Sequence, residues 1–212
     1  FTVQETRELV AEDYVYGIKR LAHPRLHSPI LGLMSGYVVG LVDFAKNLQK
    51  SALVIRRDEW LDLRKHTLDG VEVIDKYHYR IRIKGKYPQF LYWLAMPFFS
   101  PMPWEADKFY SQPGMKEKNL TLDWYPVGTG PYMLTENDPN ARMVLQRNPN
   151  FHEQFYPCEG EPEDKKAGLL NDCGKRLPFI DQIVFTREKE QIPYWNKFLQ
   201  GYYDISGISS DS

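Results

Sequence analysis

The sequence predicts a mixed α/β (α+β) fold, in which antiparallel hairpins contribute to a mixed sheet and helices pack against it. Three observations support this prediction. Apolar residues recur at helical spacing over residues 11–22, apolar and polar residues alternate over residues 78–84, and a turn rich in glycine and proline at residues 125–132 precedes an apolar run. With 212 residues, the chain can form one large domain or two small ones.

Composition and charge argue against a nucleic-acid partner and against a membrane-spanning helix. The chain carries 27 basic and 28 acidic side chains, for a formal net charge of -1. We therefore expect no nucleic-acid partner, because proteins that bind nucleic acids concentrate basic residues on one surface. No run of about 18 apolar residues occurs, so we expect no membrane-spanning helix. The chain begins at Phe1 without an initiator methionine or a leader, which indicates a processed chain or a piece of a longer one.

The first third of the chain predicts two helices. The first covers residues 11–22 and ends at Pro24, because proline cannot continue a helix. A loop is predicted over residues 23–34, and a second helix over residues 37–49. Basic and acidic residues alternate over residues 56–66, which predicts a solvated helical surface.

Residues 71–84 predict an antiparallel hairpin. Apolar side chains in its second arm alternate with those of His78, Arg80, Arg82 and Lys84. Such alternation is typical of a strand with one buried face. A short apolar helix is predicted to open at Pro88 and to end at Pro97. Residues 98–104 are predicted to form an ordered connection without a helix.

Gly128, Gly130 and Pro131 form a predicted structural turn. Glycine supplies backbone freedom, and proline fixes φ and removes a donor. A phosphate cradle is the alternative, but a dinucleotide fingerprint needs a third glycine where this chain has Met133, and no Walker pattern occurs. A second hairpin follows the turn, with arms predicted at residues 132–135 and 142–147.

The polar stretch at residues 148–178 predicts a long loop insertion that carries both cysteines. A disulfide between Cys158 and Cys173 would stabilise this loop by roughly 3 kcal/mol and fits an oxidising compartment. The alternative is two free thiols. Three further elements are predicted beyond the loop: a strand at residues 183–185, a helix that opens at Pro193 and a strand at residues 203–205.

No catalytic or metal-binding constellation emerges from the sequence. Four groups could act as acids or bases, namely Glu105, Asp107, Asp123 and His152. No pattern brings them together, and no nucleophile elbow occurs. His23 and His27 have the i, i+4 spacing of a metal pair, but Pro24 breaks the helix that would align them. We therefore expect no catalytic residue, no metal site and no cofactor.

Several segments that are weak signals alone stand in one order across nearly the whole chain. They lie at residues 11–21, 79–84, 88–97, 127–134, 144–151, 180–185 and 198–208. The most specific of them reads Val-Gly-Thr-Gly-Pro-Tyr-Met-Leu. The ordered set resembles the bacterial extracellular solute-binding proteins of family 5, which bind oligopeptides, dipeptides or nickel for ABC importers.

The resemblance implies a two-lobed protein of the periplasmic-binding-protein type II fold that closes on its ligand. Residues 1–212 would be part of lobe one, and residues 206–212 would begin the crossing to lobe two. The implied function is capture of a peptide or similar small solute for a membrane permease, without catalysis, at the periplasmic or extracellular face of a bacterial membrane. The resemblance is also compatible with a lipid anchor on the full-length protein. The alternatives are a peptide-binding sensor or chaperone-like module, and a hydrolase on the same scaffold.

In the family, regions that correspond to residues 30–34 and 96–99 approach the cleft between the lobes. The resemblance therefore implies six ligand-facing residues: Ile30, Leu33, Met34, Met96, Phe98 and Phe99. Apolar walls with a few polar groups suit a peptide ligand. Core packing is the alternative role for these side chains. We expect this chain alone to bind weakly, because half of the cleft would be absent.

Overall fold

The computed structural model describes residues 6–56, 58–188 and 191–207. The chain divides into two compact units, Phe1–Val127 and Gly128–Ser212, which we call unit 1 and unit 2. Two predicted features lie partly outside the described residues. These are Arg57 in the basic and acidic stretch, and residues 208–212 of the predicted crossing.

Helix α1 (Ala11–Arg20) confirms the first predicted helix. Because Val10 has no polar side chain, the helix start depends on Asp13, whose Oδ2 accepts a hydrogen bond from the Val10 N–H at 2.9 Å. This contact is one half of a capping box. The carbonyl of Asp13 also accepts a hydrogen bond from the Met102 N–H at 3.0 Å, so the start of α1 is joined to the chain segment around Met102.

Helices α2 (Leu31–Tyr37) and α3 (Leu41–Val54) differ from the prediction of a loop followed by one helix over residues 37–49. Helix α2 has no side-chain cap, but Met34 is fully buried in the core. Gly40 separates the two helices with φ +75°, a left-handed conformation that glycine adopts at little cost. The second predicted helix therefore exists but begins four residues later.

The predicted helical surface over residues 56–66 is wrong. Helix α3 ends at Val54, and within the described part of this stretch only Leu63–Lys65 form a single 3-10 turn. Asp62 caps that turn, because its side chain accepts a hydrogen bond from the Arg64 N–H. Leu61 and Leu63 are both buried. Their spacing of two residues is incompatible with one face of an α-helix.

Strands β1 (Val71–Val73) and β2 (Tyr79–Ile81) form the predicted antiparallel hairpin. Val71 lies opposite Ile81, and Glu72 lies opposite Arg80. Ile83 continues the second arm and forms an isolated bridge with Val38 at the end of α2. The hairpin is therefore joined to the helical part of unit 1.

Helix α4 (Phe90–Leu94) confirms the short apolar helix. The next region corrects the prediction of a connection without a helix, because Pro97–Phe99 form a 3-10 turn and α5 (Trp104–Tyr110) begins at Trp104. Pro103 stands at the N-cap of α5 with an extended backbone. The prolines that indicated an irregular connection thus also define where the next helix begins.

The core of unit 1 is formed by the inward faces of its helices together with the hairpin. Its largest fully buried apolar side chains are those of Tyr16, Ile18, Met34, Val38, Leu41, Leu48, Leu63 and Leu68.

Unit 2 contains an antiparallel sheet in the order β3–β4–β5, formed by Tyr132–Asp138, Arg142–Arg147 and Gln182–Thr186. The second predicted hairpin and the strand at residues 183–185 are confirmed. Strand β3 extends further than predicted, and a register shift between Leu134 and Glu136 marks a bulge.

The stretch at residues 148–178 is more ordered than a simple loop. Cys158 and Cys173 form the predicted disulfide, with a Cα–Cα distance of 4.6 Å. The bridge encloses helix α6 (Pro162–Lys166), and Phe155 pairs with Arg176 in an isolated bridge. The predicted pinned insertion therefore has secondary structure of its own.

Helix α7 (Gln191–Leu199) confirms the last predicted helix, and Gly201 follows it with φ +78°. The predicted strand at residues 203–205 is wrong. Within the described residues, two hydrogen bonds from tyrosine side chains hold this segment instead. Tyr203 Oη donates to Glu188 Oε1 at 2.5 Å, and Tyr194 Oη donates to the Ile205 carbonyl at 3.0 Å.

Candidate functional site

The segment from α4 to the following 3-10 turn has one buried side and one exposed side. Phe90 and Phe99 are buried and meet edge to face, with ring centroids 6.3 Å apart. The two rings anchor both ends of the segment in the core. Between them, Trp93 and Leu94 are partly buried against that core, whereas the other side chains are exposed. The exposed apolar side chains, which we call the α4 surface, are Leu91, Tyr92, Met96 and Phe98.

Tyr87 connects α4 with α2. Its ring stacks on Tyr37 with centroids 4.3 Å apart and meets Phe90 edge to face at 6.5 Å. Its hydroxyl accepts a hydrogen bond from Trp93 Nε1 at 2.9 Å. Tyr37 is the last residue of α2, and Leu33 lies four residues before it on the same side of that helix. The side of α2 that carries Leu33 is therefore the side that contacts the Tyr87 ring.

The six residues predicted to face the ligand divide into two groups. Ile30, Met34 and Phe99 are buried in the core of unit 1. The other three are partly exposed: Leu33 by 45%, Met96 by 43% and Phe98 by 39%. Ligand contact by these residues stays a prediction, and the exposed group has the free surface that direct contact requires.

Leu91 and Tyr92 are exposed apolar residues that the sequence reasoning did not select. They are 71% and 76% exposed. The available signal was the position of Phe90: in a helix of five residues with one buried ring, the next two residues project away from the core. An exposed group of large apolar side chains on a folded surface is typical of a place where another molecule binds.

The possible acid and base groups of α5 are engaged in structural contacts. Asp107 is buried and accepts hydrogen bonds from Tyr16 Oη at 2.7 Å, Trp60 Nε1 at 3.0 Å and Arg20 Nε at 2.9 Å. Burial and the neighbouring Asp107 carboxylate raise the pKa of Tyr16. Glu105 pairs with Arg7 at 3.0 Å. These contacts join α5 to the rest of unit 1.

His23, one of the two histidines with metal-pair spacing, is partly buried in unit 1. Burial lowers its pKa to about 4, against the opposing effect of Asp107. Its Nδ1 accepts a hydrogen bond from the Arg25 N–H at 3.2 Å. Across residues 6–56, 58–188 and 191–207, no group of three or more His, Cys, Asp or Glu side chains could hold a metal ion.

The Gly-Thr-Gly-Pro turn is held at its end by Asn148. The side-chain Nδ2 of Asn148 donates to the Gly130 carbonyl at 3.0 Å, and its main-chain N–H donates to the Pro131 carbonyl at 2.8 Å. Strand β3 begins directly after Pro131. Neither Gly128 nor Gly130 has a positive φ, and a Cβ built at either position meets nothing within 4 Å among the described residues. The turn is thus fixed by Pro131 and Asn148 rather than by unusual glycine geometry.

A family profile described as bacterial extracellular solute-binding proteins, family 5 Middle, matches residues 4–212. The chain belongs to this family. Membership confirms the resemblance drawn from the ordered segments, and it confirms the predicted location at the periplasmic or extracellular face of a bacterial membrane. Within the described residues, no helix is long and apolar enough to cross a membrane.

One similar curated relative is the periplasmic oligopeptide-binding protein OppA of Salmonella typhimurium. The two proteins are 26% identical over 198 residues, which cover 87% of this chain and 32% of the relative. OppA of Escherichia coli is 27% identical and is covered to 34%. The chain therefore spans about a third of the length of these curated relatives.

Solved structures confirm the predicted fold. An oligopeptide-binding protein of Borrelia burgdorferi superposes with a TM-score of 0.61 at 17% identity, over 93% of this chain and 31% of the other. OppA of Haemophilus influenzae, solved in complex with RPPGFSPFR, gives 0.59 at 16% identity, over 93% and 30% of the two chains. At these identities the likeness concerns the fold. The family and these neighbours are binding proteins rather than enzymes.

Proposed function

We propose that this chain is part of the solute-binding component of an ABC importer, which captures peptides or similar small solutes and delivers them to a membrane permease. The observation that carries this proposal is the family match over residues 4–212. We assign residues 1–212 to part of lobe one, with residues 206–212 at the start of the crossing to lobe two. The protein acts by binding and not by catalysis. A lipid anchor on the full-length protein stays a prediction.

The α4 surface, together with Leu33, supplies the apolar part of the ligand contact in this proposal. Ligand sites are mostly apolar, with a few polar groups that fix orientation. The segment is anchored at both ends by Phe90 and Phe99. A preformed wall loses little side-chain entropy when a ligand packs against it, which favours affinity.

Two measurements on the full-length protein test the proposal. Native mass spectrometry should detect a small co-purified ligand, and calorimetric titration with peptide pools should measure its affinity. The double variant Met96→Ser/Phe98→Ser removes two half-exposed apolar groups of the site. At about 1 kcal/mol for each partly buried side chain, affinity should fall by roughly 30-fold.

The matched control is Leu53→Ser/Val54→Ser, which removes two exposed apolar side chains at the end of α3. Its ligand affinity should equal that of the wild type. A full-length protein that binds no peptide and carries no solute would overturn the transport function. Binding that is unchanged in the Met96 and Phe98 variant would remove only the assignment of the α4 surface.

A further inference from the structure

The solvent face of the β1–β2 hairpin carries a row of cations. In antiparallel pairing, residues directly opposite each other point to the same side of the sheet. Tyr79, Ile81 and Ile83 pack against the core of unit 1. The residues between and after them are therefore on the other face, and Arg80, Arg82 and Lys84 are all exposed there. Exposed Lys86 follows two residues later, after Gly85.

Most of this charge is not neutralised. Arg80 pairs with Glu72 on the neighbouring strand at 2.9 Å. Arg82 donates to the Asp69 carbonyl at 2.6 Å, and Lys84 donates to the Ser35 carbonyl at 3.3 Å. These carbonyl groups orient the side chains without cancelling their charge. Among the residues that the structure describes, no carboxylate forms an ion pair with Arg82, Lys84 or Lys86. We call these three residues the basic face.

The basic face is a local feature in a chain whose formal net charge is -1. Ile74 is the large apolar side chain exposed on the same side of the hairpin, as its pairing with His78 indicates. A sheet face that is buried against another layer of the protein would instead be rich in apolar side chains. The exposed cations suit an anionic, hydrated partner.

We propose that the basic face binds the anionic headgroups of phospholipids at the membrane where the protein works. Family membership places the protein outside that membrane, so the surface is within reach of lipid phosphates. Lysine and arginine bind phosphate oxygens through charge-assisted hydrogen bonds. Each cation close to an anionic membrane strengthens binding by about 5-fold, so that three together contribute ~100-fold. The contact is peripheral and reversible, and it keeps the protein at the membrane without spanning it.

Vesicle co-sedimentation with the full-length protein tests this proposal. Wild-type protein should bind vesicles of phosphatidylcholine with phosphatidylglycerol, but not vesicles of phosphatidylcholine alone. Binding should be strong at ~50 mM salt and nearly absent at ~500 mM salt, because salt screens exposed charges. The variant Arg82→Gln/Lys84→Gln/Lys86→Gln should bind the anionic vesicles about 100-fold more weakly.

The matched control is Lys50→Gln/Lys116→Gln/Lys118→Gln, which removes the same charge from exposed lysines elsewhere in unit 1. It should keep most of the vesicle binding. The charge-retaining variant Arg82→Lys/Lys84→Arg/Lys86→Arg should bind like the wild type, and thermal unfolding monitors whether each variant is folded. Four results overturn the proposal: no binding by the wild type, equal binding to neutral vesicles, equal loss in the control, or binding to polyglutamate without binding to vesicles.

Discussion

Asp107 illustrates how single buried polar groups organise unit 1. Its carboxylate accepts hydrogen bonds from two residues of α1 and from Trp60. These bonds fix α5 against α1 and against the segment that contains Trp60. Buried polar groups are retained when their hydrogen bonds are satisfied, and losing one partner leaves the others desolvated. The sequence named Asp107 as a possible acid or base, but its role depends on neighbours that are far apart in the chain. These contacts depend on the tertiary structure, so the local sequence pattern could not predict them.

His23 makes the stability of this region depend on pH. Its ordinary pKa is about 6.5 and its pKa in the folded chain is about 4, because burial disfavours the charged ring. Between these values the unfolded chain binds more protons than the folded one, so lowering the pH favours unfolding. The charged groups that act on the ring are Asp107, which opposes the shift, and Arg20 and Arg25, which support it.

We therefore expect the wild-type free energy of unfolding to fall by about 2 kcal/mol more than that of His23→Gln when the pH decreases from about 7 to about 4. Urea unfolding at both pH values measures this difference. Equal pH dependence in the wild type and in His23→Gln would contradict the prediction.

At the scale of the elements, close approach of two segments decides where glycine is required. A Cβ added at Gly17 would lie 2.6 Å from the carbonyl oxygen of Ser100, so α1 packs directly on the backbone before α5. Gly32 of α2 has open space around it instead. Two glycines in helices of one unit should thus respond in opposite directions to the same substitution.

Gly17→Ala should destabilise the protein by roughly 2 kcal/mol, because the clash forces the backbone apart. Gly32→Ala should stabilise it by about 0.5–1 kcal/mol, because alanine favours the helix more than glycine does. Thermal and urea unfolding of both variants measure the two effects. A stabilising Gly17→Ala would show that α1 and the Ser100 segment are further apart than described.

The elements that sequence reasoning found were those with strong periodicity, such as α1 and the β1–β2 hairpin. Helix α2 was missed because Leu31–Tyr37 contains two glycines and has no side-chain cap. Its local helix propensity is therefore low, and the burial of Met34 in the core provides the stabilisation instead. The strand predicted at residues 203–205 had a suitable composition, but no strand lies beside it within the described residues. Strand pairing is a long-range property that composition alone does not determine.

At the scale of the whole molecule, the buried apolar residues are distributed unevenly. Among the described residues, Val144 and Phe151 are the buried apolar side chains of unit 2, and the other 19 of 21 belong to unit 1. Apolar burial is the main favourable term in folding. Unit 1 should therefore be the more stable unit, and the disulfide compensates in part for the small core of unit 2.

Hydrogen exchange of the 212-residue chain should reveal this difference. Amides of β3 and β4 should exchange faster than those of α1 and α3, because local opening costs less where few apolar groups are buried. Mass spectrometry of peptic fragments measures both regions in one experiment. Equal protection of the sheet and of the two helices would contradict the prediction.

The family could be inferred from sequence because its signal is spread over the whole chain and needs no single contact. The residues predicted to face the ligand could not be resolved to the same degree. Ile30, Leu33 and Met34 lie within one short segment and are alike in composition, yet packing buries two of them and leaves Leu33 exposed. Only the position of each side chain relative to the core distinguishes a residue with free surface from one packed beneath it.

Both sulfur atoms of the two cysteines in the sequence are occupied by the bridge between Cys158 and Cys173. A cysteine introduced at Gly128 or Gly130 would consequently be the chain's single reactive thiol, at a place with room for a new side chain. A maleimide fluorophore could be attached there without removing any native cysteine. The oxidised loop thus leaves a ready route to a fluorescent label at one defined position.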